Sequence, residues 1–161
     1  MTRVLALGGG VVAADQLTKA AVLSHLTTGT HIDVVDGLVT LTLVMNPGLA
    51  FGLLGGVPSG WRWVVAVLSV AALIVLARVA LRILPEGGRL DRVAIGLIFG
   101  GAIGNLIDRV RFGAVVDFVD VHFRGYHWPA FNVADSAITV GVILLAIRLL
   151  LRPSAPTAPA S

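Results

Sequence analysis

Between Gly96 and Asp135 the chain concentrates Asn105, Asp108, Arg109, Asp117, Asn132 and Asp135, flanked by segments apolar enough to live in lipid. Ionisable side chains are costly in a bilayer, so they are functional suspects by default and usually face a bundle interior. The pivots are Asp117 and Asp135. Two carboxylates that share a site cannot both ionise easily, so one keeps a proton at neutral pH. The ionised one can deprotonate a water that attacks a carbonyl. The protonated one can hydrogen-bond that carbonyl and later help protonate a leaving amine. This route to peptide hydrolysis requires no nucleophilic side chain, and the sequence has no cysteine, no HExxH helix and no GxSxG elbow.

Each of these residues also has a plainer explanation. Asn105, Asp108 and Arg109 are spaced i, i+3, i+4 and share one helical face, where Arg109 suits a helix C-terminus electrostatically. A face bearing Asn, Asp and Arg is more polar than a cap requires. Asn132 followed by Asp135 resembles a capping box, and Asp117 alone would be an ordinary exposed acid. The conjunction favours a site, because the two acids fall at one depth of a small bundle. Asp15 and Lys19 lie four apart and can pair on a helix, as a structural ion pair or as a support of the site. A metal reading would use His122, His127, Asp117 and Asp120. Its histidine spacing matches no standard zinc signature, so no metal and no cofactor is expected.

The elements that must position these groups are mostly membrane helices. Of 161 residues, 57% are hydrophobic and only 13% charged, against roughly 25% charged in soluble domains. The expectation is an all-α membrane protein of four transmembrane helices with a small extracytoplasmic β-cradle, all in one domain over residues 1–152. The spans are expected at about 4–26, 61–84, 92–110 and 133–151. A secretory signal at the N-terminus also fits Arg3 and the small residues after it, but the apolar run resumes at Ala20 and no soluble domain follows. His31 onward changes character: Asp36-Gly37 signals a turn, Thr40-Leu41-Thr42-Leu43 alternates like a strand with one apolar face, and Asn46-Pro47-Gly48 cannot be a membrane helix. A β region is therefore expected at about 31–57. Trp61 and Trp63 anchor one edge of the second span. Asp91 is the expected N-cap of the third, in which Gly96, Gly100 and Gly104 allow another helix close. Residues 111–131 read as a polar, aromatic loop, and 153–161 as a disordered cytoplasmic tail.

The net charge of +3 comes from arginines gathered at helix ends, which points to topology rather than nucleic-acid binding. Arg3, Arg78, Arg82, Arg89, Arg92, Arg148 and Arg152 fall on one side. Lys19, Arg62, Arg109, Arg111 and Arg124 fall on or near the other. That bias places both termini in the cytoplasm and the polar cluster at the opposite face. A rival reading is a transporter or channel component whose Asp, Asn and Arg residues relay protons or ions. A relay distributes acids across the bilayer, whereas here they gather at one face, with Glu86 and Asp91 in a cytoplasmic turn.

Five segments, in order, closely resemble lipoprotein signal peptidase (signal peptidase II). They are Asp15-Gln16-Leu17-Thr18-Lys19, Asn46-Pro47-Gly48-Leu49-Ala50-Phe51-Gly52, Gly104-Asn105-Leu106-Ile107-Asp108-Arg109, Val115-Val116-Asp117-Phe118 and Phe131-Asn132-Val133-Ala134-Asp135. Leu49 departs from the smaller residue expected there. The resemblance implies a membrane aspartic peptidase of the bacterial cytoplasmic (inner) membrane, with its active site at the extracytoplasmic face. Its substrates would be prolipoproteins carrying a diacylglyceryl group on cysteine, cut before that cysteine among membrane lipids. Asp117 and Asp135 would be the catalytic pair, with Asp15, Asn46, Asn105, Arg109 and Asn132 as supports that orient substrate and dyad. The family needs no metal and is the target of the cyclic peptide globomycin.

Overall fold

The computed structural model describes residues 1–48 and 62–151. Helix α1 (Thr2–His25) leads into a hairpin of β1 (His31–Val35) and β2 (Val39–Asn46), and α2 (Arg62–Ile83) and α3 (Arg89–Phe112) follow. Strands β3 (Val115–Phe123) and β4 (Tyr126–His127) then precede α4 (Val133–Leu150). Leu49 to Trp61 and Arg152 to Ser161 lie outside the described residues. They include the second half of the Asn46–Gly52 segment, part of the expected β region and the expected tail.

Helix α3 is the hub, packed against α1, α2 and α4. Its glycines make this possible. A Cβ on Gly104 would lie 2.6 Å from Asp15 Oδ2, and one on Gly101 would run into the Ala134 carbonyl. The ladder of Gly96, Gly100 and Gly104 thus seats α1, within the same chain. Val4, Ala80 and Ile95 cluster at one end of the bundle, where Arg148 Nε also pairs with Asp91 Oδ1 at 2.8 Å. Leu26, Leu43 and Val116 cluster at the other, under the sheet.

Among the described residues three helices, α2 from Trp63, α3 and α4, are long and apolar enough to cross a membrane. The four expected spans are thus three by length and composition. Helix α1 is of similar length but carries Asp15, Gln16 and Lys19. Helix α3 starts at Arg89, not at Arg92, and Asp91 is not its N-cap. Gly88 holds that position, its N–H donating to Asp91 Oδ2 at 2.8 Å, and Asp91 is buried in the first turn of α3 instead of lying in a turn.

The stretch 111–131, expected as a loop, supplies the third strand of an antiparallel sheet ordered β1-β2-β3-β4. Gly113, at φ 68°, ends α3 in the left-handed conformation that favours glycine, and β3 starts two residues later. Strand β3 pairs with β2 in the register Val44↔Asp117 and Asn46↔Val115. The β3–β4 hairpin turns through Arg124 and Gly125, both at positive φ (51° and 83°), as mirror-image two-residue turns require. On β2 the faces are less distinct than the alternation implied. Leu43 packs on Val116, but Thr40 and Thr42 are also buried, and Thr40 Oγ1 donates to Asp33 at 2.8 Å.

Candidate active site

Asp117 sits on β3 and Asp135 in the first turn of α4, and both line a cavity of about 880 Å³ between the sheet, α2 and α4. Three asparagines hold the carboxylates. Asn46 donates to Asp117 Oδ2 at 3.0 Å, Asn132 to Asp117 Oδ1 at 2.7 Å and Asn105 to Asp135 Oδ1 at 2.7 Å.

Each asparagine is oriented by what its own oxygen accepts. Asn46 Oδ1 accepts from Gly48 N at 3.0 Å, and Asn132 Oδ1 caps α4 by accepting from Asp135 N at 2.9 Å. Asn105 Oδ1 accepts from Lys19 Nζ at 3.0 Å and from Asn132 Nδ2 at 3.2 Å. With the oxygens engaged, all three amide NH₂ groups face carboxylates. The capping box implied by Asn132 and Asp135 is therefore half made. Asn132 caps the helix, while the Asp135 side chain turns to Asn105 and remains at the cavity.

Lys19 is buried behind this layer, 2.8 Å from Asp15 and 2.7 Å from Asp108. Asp15 also accepts from Ala134 N at 2.9 Å, tying α1 to the start of α4, and Asp108 accepts from Val116 N at 3.1 Å, tying α3 to β3. Gln16 Nε2 bridges Asp108 at 2.9 Å and Asp15 at 3.2 Å. The buried cation is thus matched by Asp15 and Asp108, and among the described residues neither Asp117 nor Asp135 has an ion-pair partner. Arg109 lines the cavity and donates to the carbonyls of Asn105 at 3.3 Å and Gly48 at 3.1 Å.

Burial pushes the Asp117 carboxyl up to about 7, and the charge of Asp135 adds to this. The amides of Asn46 and Asn132, and Lys19 further off, pull the other way without cancelling it. At neutral pH such a group divides between acid and base, as proton transfer in both directions requires.

Of the sequence-derived site residues, Asp117, Asp135, Asn46, Asn105 and Arg109 line the cavity. Asn132 lies between the two aspartates, and Asp15 stands one layer back. Gln16 is absent from that set, as is Trp128 on the cavity wall, and Lys19 enters the sequence reading only as the partner of Asp15. The i, i+4 spacing reveals the Asp15–Lys19 contact, but nothing local to the sequence announces that Lys19 crosses to Asp108 and Asn105. Of the four residues of the metal reading, Asp120, His122 and His127 come together, and Asp117 does not join them.

Apolar helices under a small sheet, with two amide-held carboxylates at a cavity on their rim, define a helical membrane protein equipped for acid–base chemistry. The family model for signal peptidase (SPase) II matches residues 7–151. A lipoprotein signal peptidase of Syntrophotalea carbinolica is 50% identical over 84% of this chain and 83% of its own length. One from Geobacter sulfurreducens is 47% identical over 88% and 87%. A solved structure described as "Bacterial membrane enzyme structure by the in meso method at 1.9 A resolution" is similar with a TM-score of 0.75 at 34% identity, over 95% of this chain and 96% of that one. The chain belongs to the signal peptidase II family and is a protease.

Proposed function

We propose that this protease removes signal peptides from bacterial prolipoproteins by cleaving before a diacylglyceryl-modified cysteine, with Asp117 and Asp135 activating the water. The observation that carries this reading is the set of three asparagines, which present N–H groups to two carboxylates that have no ion-pair partner among the described residues. The pair holds one proton between its members. The ionised carboxylate takes a proton from water, whose oxygen attacks the scissile carbonyl carbon. The protonated one donates a hydrogen bond to the carbonyl oxygen, and the C–N bond then breaks as the amine nitrogen receives a proton from the pair. Asn46, Asn105 and Asn132 fix the carboxylates, Asp15 supports them through α1, and Arg109 orients the substrate backbone.

The cavity suits a lipidated substrate. Its polar end carries the aspartates, and its walls on α2 and α4 include Leu68, Ala72, Ile138 and Val140, where acyl chains would lie. The lipid fixes the scissile bond at one depth and makes the encounter two-dimensional. Globomycin, as a cyclic peptide, would occupy the same cavity and block the dyad.

In this reading α1 is a fourth span. Composition counts its charges, but Asp15 and Lys19 are buried against α3, whereas Leu5, Leu17 and Leu23 face outward. Residues 1–152 form one domain of the bacterial inner membrane, with both termini cytoplasmic and the dyad at the extracytoplasmic face.

The test is cleavage of a diacylglyceryl-modified prolipoprotein by purified protein in detergent, comparing wild type with Asp117→Asn and Asp135→Asn. Each variant should lose at least about 10²- to 10⁴-fold in rate while remaining folded. Substantial activity in either would make that aspartate a structural residue and overturn the dyad.

A further inference from the structure

Strand β3 carries a second cluster. Along a strand, residues two apart share a face and residues three apart do not. Asp120 and His122 therefore share one face of β3, and Asp117 belongs to the other. The register sets His127 of β4 directly opposite His122, and cross-strand partners project to the same side. The two imidazoles stack with centroids 4.9 Å apart, and His127 Nδ1 lies 2.9 Å from Asp120 Oδ2. One ligand atom from each of Asp120, His122 and His127 falls within 4.8 Å of the others. His122 Nδ1 is buried and has no hydrogen-bond partner among the described residues.

We propose that Asp120, His122 and His127 form a binding site for a divalent first-row transition ion such as Zn²⁺, on the face of β3 opposite the Asp117 carboxylate. Two imidazoles and one carboxylate are a donor set that such ions accept, leaving a position for water. Ligand atoms at about 2.0–2.2 Å from a tetrahedral ion stand roughly 3.4 Å apart, so the cluster must close by about an ångström. His127 is free to make that movement, because its side chain is 58% exposed and β4 is only two residues long. The orphaned nitrogen of His122 gives the ring a reason to accept an ion.

Ion binding would also reach the cavity. The segment after β4 is held to β3 by Trp128 N donating to Val121 O at 2.8 Å and Phe131 N donating to Val119 O at 3.0 Å. Trp128 and Phe131 line the cavity that contains the aspartates. An ion linking β3 to β4 stiffens that wall from behind without touching Asp117 or Asp135.

The experiment is zinc titration by calorimetry on the tag-free, EDTA-stripped full chain in detergent, with bound zinc counted after gel filtration. Wild type should hold one ion per chain. His127→Gln and Asp120→Asn should each weaken binding by more than about tenfold, and a His25→Gln/His31→Gln double variant should bind as wild type does. X-ray absorption at the zinc edge of the wild-type complex should show two imidazoles per ion, which keeps the test valid where a variant folds poorly. No stoichiometric binding, binding unchanged in His127→Gln and Asp120→Asn, or a zinc shell without imidazole would each overturn the site and leave Asp120–His127 a simple ion pair.

Discussion

Among the described residues Asp117 is hydrogen-bonded only by neutral amides, and it is buried, so its proton is held up to about 7. The consequence for stability has a definite sign. A carboxyl whose folded pKa exceeds its unfolded value binds protons more tightly when folded, so its contribution to stability is fully present below the unfolded pKa. It is lost as pH rises from near 4 through 7, at about 1.4 kcal/mol per unit of difference. Asp117→Asn cannot ionise and escapes that loss. The melting temperature of the variant minus that of wild type should therefore rise between pH 4 and pH 8, whatever its offset from the changed hydrogen bonds. A difference that stays flat across this range would mean that Asp117 is ionised throughout and holds no proton for the leaving amine.

The next scale is the contact between helices. Lys19 of α1 joins Asp15 of its own helix to Asp108 and Asn105 of α3, all buried. Removing one partner of a buried ion pair leaves uncompensated charge and costs about 3–5 kcal/mol. Lys19→Met should unfold at markedly lower temperature than wild type, and Lys19→Met/Asp108→Asn should recover part of the loss. Equal stability of Lys19→Met and wild type in a thermal melt would show that these acids do not depend on the lysine. This layer was half legible in the sequence. Spacing along one helix exposed Asp15–Lys19 and the shared face of Asn105, Asp108 and Arg109. Contacts between helices have no local signature. Strand β3 escaped notice for a related reason. Val115, Val116, Asp117 and Phe118 are all buried, so the stretch does not alternate, and Arg124-Gly125 is a less familiar form of the two-residue turn than Asn-Gly. A continuous apolar run broken by acids looks like a loop until β2 lies beside it.

At the scale of the molecule, the bundle has two chemically distinct ends. The Val4, Ala80 and Ile95 cluster and the Asp91–Arg148 pair mark the end that gathers Arg3, Arg82, Arg89 and Arg92. Lys19, the three asparagines, both aspartates and the sheet mark the other. Short loops rich in arginine remain in the cytoplasm, so the proposed topology puts the arginine-rich end inside and opens the cavity outward, where a secreted precursor would reach it. The chain has no cysteine, so single introduced thiols report on each end without background. Glu86 in the α2–α3 turn and Thr28 in the turn before β1 are both exposed and take no part in the site. In intact cells a membrane-impermeant maleimide should label Thr28→Cys, and should label Glu86→Cys only after permeabilisation. The reverse pattern would put the aspartates in the cytoplasm, on the side where exported prolipoproteins no longer present their cleavage sites. Labelling of both variants in intact cells would mean that α2, the helix between the two positions, does not separate them across the membrane.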